Sequence, residues 1–130
     1  MKKKPLVAIV NTSACNLLSV LYACKSNQIN TKVIREYENP SSYDGIIFPG
    51  VGNFGFVSNL IFKNQLDKFI KHFIEKDKPG LFICLGMQIL FESSEENEKS
   101  KGLSFFKGQV KKIKKSASQI KSPIIGWNKI

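Results

Sequence analysis

Cys84 is the residue of this chain best placed to do chemistry. It lies in KPGLFICLGMQILFESSEE, residues 78–96, where the apolar run Leu81-Phe82-Ile83 stops and a helical-looking segment begins after Gly86. A strand that turns sharply into a helix lifts the side chain at the turn out of the sheet edge, which is where hydrolases place a nucleophile. The helix start would set N–H groups and the positive end of the helix dipole beside the thiol, an arrangement that activates cysteines. The N–H of Leu85 is positioned to stabilise an oxyanion formed by attack on a carbonyl carbon. The competing reading makes Cys84 a small apolar residue at the end of a buried strand.

Two neighbouring features sharpen the choice. Gln88 falls four residues after Cys84, one helical turn on, so it faces the same pocket. Met87, Ile89 and Leu90 read as core. Pro49-Gly50-Val51-Gly52 follows another buried run, and its glycines permit positive φ and close backbone approach. N–H groups exposed in such a turn hold an anion or an oxyanion. A thiol nucleophile also calls for a base. The chain has one histidine, His72, between Lys71 and the core position Phe73 in a predicted helix, where it reads as a surface residue.

The elements that must position these residues alternate. Leu6 to Val10 is a short β-rich run ended by Asn11-Thr12-Ser13. Asn16 to Asn27 has Leu17, Val20, Leu21 and Cys24 at helical spacing, with Asn16 or Ser13 as cap. Lys32 to Arg35 reads as a second strand, Pro40 to Tyr43 as a loop, and Gly45 to Phe48 as a third strand. Gln65 to Lys76 sets Leu66, Phe69, Ile70 and Phe73 on one helical face. Leu81 to Ile83 is a fourth strand, and Met87 to Glu92 is expected to begin another helix. Glu95 to Lys101 reads as a charged loop, Gln109 to Lys114 as a strand, and Ser116 to Ser122 as a polar loop. Buried strands alternating with amphipathic helices predict an α/β fold, a mostly parallel sheet with helices on both faces. Ligands bind such sheets at the carboxyl ends of the strands, where Asn11–Asn16, Pro49–Phe54 and Cys84–Gln88 all fall.

Composition excludes several classes. At 130 residues the chain is expected to form one domain, 1–130, with its own core. No apolar run approaches the roughly 20 residues that span a bilayer. Leu6 to Val10 is too short for a signal-peptide core, so the expected location is cytoplasmic, without a membrane. Three cysteines without metal spacing predict free thiols. The net charge of +10 comes from 20 cations against 10 anions, with Arg35 the single arginine. Nucleic-acid readers favour arginine for bidentate contacts, so scattered lysine predicts solvated faces or an acidic or phosphate-bearing partner, and no nucleic acid.

The motifs PGVGNFG, ICLGMQILFESSEE and GWN, at residues 126–128, resemble in order the class I glutamine amidotransferases, and among them the glutaminase subunits of imidazole glycerol phosphate synthase. The opening VAIVNTSACNLLSV resembles that family's first strand and loop. The resemblance implies a flavodoxin-like fold and glutamine as substrate. It implies attack by the Cys84 thiolate on the side-chain amide, with no cofactor and no metal. Gly50, Val51, Gly52 and Leu85 would form the oxyanion side, and Gln88 would contact glutamine. Ammonia would pass to a cyclase subunit, a barrel protein, as heterodimer partner in histidine biosynthesis.

The chain also departs from that pattern. Family members continue beyond the length of this chain, and their catalytic His-x-Glu lies in that continuation. Phe82 replaces a glycine two residues before the nucleophile, where a benzyl group is expected to crowd the pocket. NTSACN stands for the Gly-rich first loop, and Ile124 for a histidine ahead of GWN. The present residues alone are therefore expected to be inactive. Two other readings remain open: a non-catalytic remnant that docks a partner, and a paralogue supplying ammonia to surface-sugar biosynthesis.

Overall fold

The computed structural model describes residues 4–13, 15–97, 99–113, 125–127 and 129. The expected loop at Ser116–Ser122, and the positions Ile124 and Asn128, lie outside the described residues. Four strands, β1 (Leu6–Val10), β2 (Asn30–Ile34), β3 (Gly45–Phe48) and β4 (Gly80–Phe82), form a parallel sheet in the order β2-β1-β3-β4. Val7 pairs with both Thr31 and Gly45, and Phe48 pairs with Phe82. Central β1 is apolar throughout, as a strand covered on both faces must be, and Ala8, Ile9 and Val10 are fully buried. Edge strand β2 instead exposes Asn30 and Lys32.

Helix α1 (Leu17–Ser26) starts where Asn16 caps it, its Oδ1 accepting from the Ser19 N–H at 3.4 Å. Helices α2 (Phe54–Lys63) and α3 (Leu66–Glu75) lie on the opposite face of the sheet, and there the main core forms. It joins Ala8, Val10, Ile46 and Phe48 of the sheet to Phe54, Val57 and Ile61 of α2 and to Leu66, Phe69, Ile70 and Phe73 of α3. The four α3 positions are those the helical spacing predicts. Helix α2 is not anticipated by the sequence reading; Asn53 caps it by accepting from the Phe56 N–H at 3.0 Å.

Two expected elements are corrected beyond β4. The helix expected over Met87–Glu92 is a single turn, α4 (Leu85–Gln88), followed by strand β5 (Phe91–Ser94). The carbonyls of Ile89 and Leu90 accept from Leu103 at 2.7 Å and Phe105 at 2.9 Å, so they are not free to continue a helix. The strand expected at Gln109–Lys114 is β6 (Phe106–Val110), paired parallel with β5 in a separate two-stranded sheet. The Phe91 and Phe106 rings lie 5.7 Å apart, a cross-strand aromatic contact that fixes the pairing. The charged stretch between β5 and β6 is not merely solvated. Glu96 Oε2 accepts from the Phe54 N–H at 2.9 Å and Asn97 Oδ1 from the Gly55 N–H at 3.0 Å, both in the first turn of α2.

Candidate active site

The turn at Cys84 is held open by backbone contacts. Cys84 has φ 54° and ψ −111°. Such a conformation costs a residue with a side chain about 1–3 kcal/mol. Its neighbours enforce it. The Ile83 N–H donates to the Phe48 carbonyl at 2.9 Å, while the N–H groups of Met87 and Gln88 both donate to the Cys84 carbonyl at 3.0 Å. Gly86 is pressed so hard on β3 that a Cβ there would collide with the Phe48 carbonyl oxygen. The result is an exposed thiol between the buried Leu85 and the end of β4. The nucleophile position read from the sequence thus has the geometry of a strained strand-to-helix elbow.

The field expected behind the thiol is smaller than a long helix would give. With α4 only one turn long, few peptide dipoles align. Its N–H groups are also taken: Gly86 donates to Ile83 at 3.0 Å, and Leu85 to the Gly50 carbonyl at 3.3 Å. That second bond ties the elbow to the glycine loop. Gly50 is buried, and a Cβ on it would meet Leu85 Cβ at 3.0 Å and the Gly86 nitrogen at 3.1 Å. Gly52, at φ 105°, uses the freedom that only glycine has. Val51 between them is exposed.

Gly52 and Gln88 line one cavity of about 480 Å³ together with Ser94, Glu95, Glu96, Val110, Lys111 and Lys112. Sequence reasoning brought the first two together and missed the rest, which come from the β5 end, the loop after it and the β6 end. Their only trace in the sequence is the SSEE that extends the Cys84 motif. Glu95 Oε2 accepts from the Lys112 N–H at 3.2 Å, which closes this wall. Phe82 does not line this cavity. Its ring packs on the core side against Phe48, 6.4 Å between centroids, and over Gly80.

His72 sits in the last turn of α3, which leads into the start of β4, whereas Cys84 follows the end of β4. The two lie at opposite ends of the strand, so His72 does not serve the thiol. In the loop after β1, Asn11 Oδ1 accepts from the Ser13 N–H at 2.8 Å and lies 3.7 Å from the Cys15 Sγ. Burial pushes the Cys15 thiol up. Among the described residues no three His, Cys, Asp or Glu side chains are grouped to hold a metal, and no helix is long and apolar enough to cross a membrane.

The family profile described as "Glutamine amidotransferase class-I" matches residues 8–128, from β1 through the elbow and the wall of the cavity. The chain belongs to the class-I glutamine amidotransferase family. It is similar to "Imidazole glycerol phosphate synthase subunit HisH" of Halalkalibacterium halodurans, with 38% identity over 128 residues, 96% of this chain and 60% of the relative. The protein of that name from Pyrococcus furiosus is 40% identical over 124 residues, 95% of this chain and 58% of the relative. "Imidazole glycerol phosphate synthase hisHF" of Schizosaccharomyces pombe is 35% identical over 95% of this chain and 22% of its own length. The chain therefore spans about three fifths of the HisH relatives it matches. A solved structure, "Crystal structure of glutamine amidotransferase", superimposes with a TM-score of 0.67 at 19% identity, covering 81% of this chain and 55% of that one. That likeness is one of fold, and it agrees with the parallel α/β sheet.

Proposed function

We propose that residues 1–130 form the thiol-bearing part of a glutaminase, the glutamine-hydrolysing subunit of an imidazole glycerol phosphate synthase acting in the cytoplasm in histidine biosynthesis. The observation that carries this reading is the strained elbow at Cys84, locked to the Gly50–Gly52 loop. The names of the HisH relatives support the pathway.

In this reading the Cys84 thiolate attacks the side-chain amide carbon of glutamine. The carbonyl oxygen gains charge on the side of Gly50, Val51, Gly52 and Leu85. Collapse of the adduct expels ammonia and leaves a thioester, which water hydrolyses to glutamate. The Leu85 N–H is held by a bond of 3.3 Å. A bond that long is weak, and the N–H exchanges it for a substrate oxygen at little cost. The cavity beside the elbow carries charges of both signs. Glu95 and Glu96 suit an α-ammonium group, Lys111 and Lys112 an α-carboxylate, and Gln88, in the helical turn that Cys84 starts, lines the same cavity, whereas Cys84 itself is not among its lining residues. Released ammonia goes to a cyclase partner, a reading supported by the longer synthase of Schizosaccharomyces pombe, of which this stretch is a minor part.

Proton transfer is the missing step. With His72 at the far end of β4, the base comes from outside the present chain, so the chain alone is expected to release no glutamate from glutamine. Alkylation of Cys84 by 6-diazo-5-oxonorleucine, slowed by added glutamine, tests the binding half of the reading; labelling indifferent to glutamine defeats it. Turnover that Cys84→Ala abolishes would place a base within the chain.

A further inference from the structure

The two ends of the parallel sheet differ in charge. Near the carboxyl end, the cavity beside the elbow mixes Glu95 and Glu96 with Lys111 and Lys112. At the amino end, β1 and β2 pair from Leu6 and Asn30 onward, and the Asn30 N–H donates to the Pro5 carbonyl at 3.2 Å. That pairing brings Lys4 to the turn between α1 and β2. A cavity of about 460 Å³ opens there, charged by Lys4 and Lys25, and among the described residues no carboxylate lines it. The half-buried Leu21 and Ile29 give it an apolar wall, and Gln28, Asn30 and Thr31 give it polar groups.

We propose that this cavity binds a small phosphate ester, its phosphate held by Lys4 and Lys25 and its apolar body set against Leu21 and Ile29. Charge is the first reason. Lys32, also on β2, has Glu38 at 2.6 Å, whereas Lys4 and Lys25 make no ion pair among the described residues. Two uncompensated cations on one concavity focus a positive potential, and an apolar wall lowers the screening around them. The polar groups are the second. The Gln28 and Asn30 amides and the Thr31 hydroxyl can all donate to phosphate oxygens. The end of α1 is the third. A helix C-terminus opposes an anion, but here the last carbonyls are occupied. Those of Ala23 and Cys24 accept from the Asn27 N–H at 3.2 and 3.1 Å, Cys24 also from Ile29 at 3.0 Å, and Lys25 from Gln28 at 3.0 Å. The lysines therefore set the sign of the field. The cavity lies at the opposite end of the sheet from the elbow, so the inference does not require the glutaminase reading.

The test titrates the chain with phenyl phosphate at constant ionic strength and follows the backbone amide resonances. Saturable shifts are expected at Lys25, Gln28, Asn30 and Thr31. Phenyl phosphate is expected to bind at least about tenfold more tightly than inorganic phosphate or phenol, since each alone meets only half of the site. Lys4→Gln and Lys25→Gln, both at exposed positions, are each expected to weaken binding about tenfold, as loss of a charge-assisted contact should. Their far-ultraviolet spectra are expected to stay unchanged. Lys107→Gln removes the same charge from exposed β6 and is expected to leave the affinity as it was. Shifts that do not saturate overturn the proposal. So does equal weakening by all three variants, because net charge is then the cause. Inorganic phosphate binding as tightly as phenyl phosphate overturns the assignment of an ester.

Discussion

Phe48 and Ile47 are adjacent in β3 and meet different surroundings. Phe48 points into the core built by α2 and α3 and is fully buried; Ile47 points toward α1 and lines an open groove. One strand thus separates a finished face from an unfinished one. Helix patterning alone closes a face only where two helices share it. Helices α2 and α3 each commit three or more large side chains to the sheet, whereas α1 buries Cys24 alone.

The largest expected contrast is between two thiols. Cys84 is exposed at the elbow, and Cys24 is 4% exposed beneath α1. Pulse labelling with iodoacetamide at neutral pH, read by peptide mass spectrometry, is expected to modify Cys84 faster by orders of magnitude, because Cys24 must wait for local opening. Equal rates would mean that the α1 side opens freely. Next comes the packing of the two faces. Phe69→Ala removes a fully buried ring from the closed face. It is expected to cost about 3–5 kcal/mol in urea melts. Leu81→Ala on the open face is expected to change stability by no more than about 0.5 kcal/mol, as an exposed position should. A large loss at Leu81 would show that the groove is already filled.

An effect smaller than that of Phe69→Ala is expected where the closed face reaches the surface. Tyr43 packs edge-on against Phe69 at 5.8 Å, and its hydroxyl donates to Glu38 Oε2 at 2.7 Å, which also takes Lys32 Nζ at 2.6 Å. The Lys32 bond, then the Tyr43 bond, hold the Glu38 carboxyl below its ordinary 4.5. Folding therefore gains from Glu38 above that pH and loses the gain as pH falls through the lower folded value. Tyr43→Phe is expected to cost about 0.5–1.5 kcal/mol at neutral pH and to flatten the acid limb of the stability curve. An acid limb identical to that of the unsubstituted chain would remove Tyr43 from the account.

What the sequence revealed follows how locally each feature is encoded. The α3 face, the apolar β1 and β3, and the elbow at Cys84 each depend on spacing within a few residues, and each is where it is expected. Helix α2 escaped because Phe56 and Phe62 are exposed alongside the buried Phe54, which blurs the apolar stripe. β5 escaped because Leu90 and Phe91 prolong the apolar pattern of α4, and only Phe106, far along the chain, turns that stretch into a strand. The cavity was half legible for the same reason. Gly52 and Gln88 belong to recognisable turns, while Glu95, Glu96, Lys111 and Lys112 become its walls only when β5 and β6 pair.

The register of β1 bears on how this chain comes off the ribosome. Val7 takes its second partner, Gly45, only after the whole of α1 and β2 has been made. Chains grow slowly enough that this wait is on the order of seconds. Through that interval the least polar of the described strands has emerged without both of its neighbours in place. The most vulnerable moment for misassembly therefore comes early in synthesis, before the elbow or the cavity exists, and it belongs to Leu6–Val10.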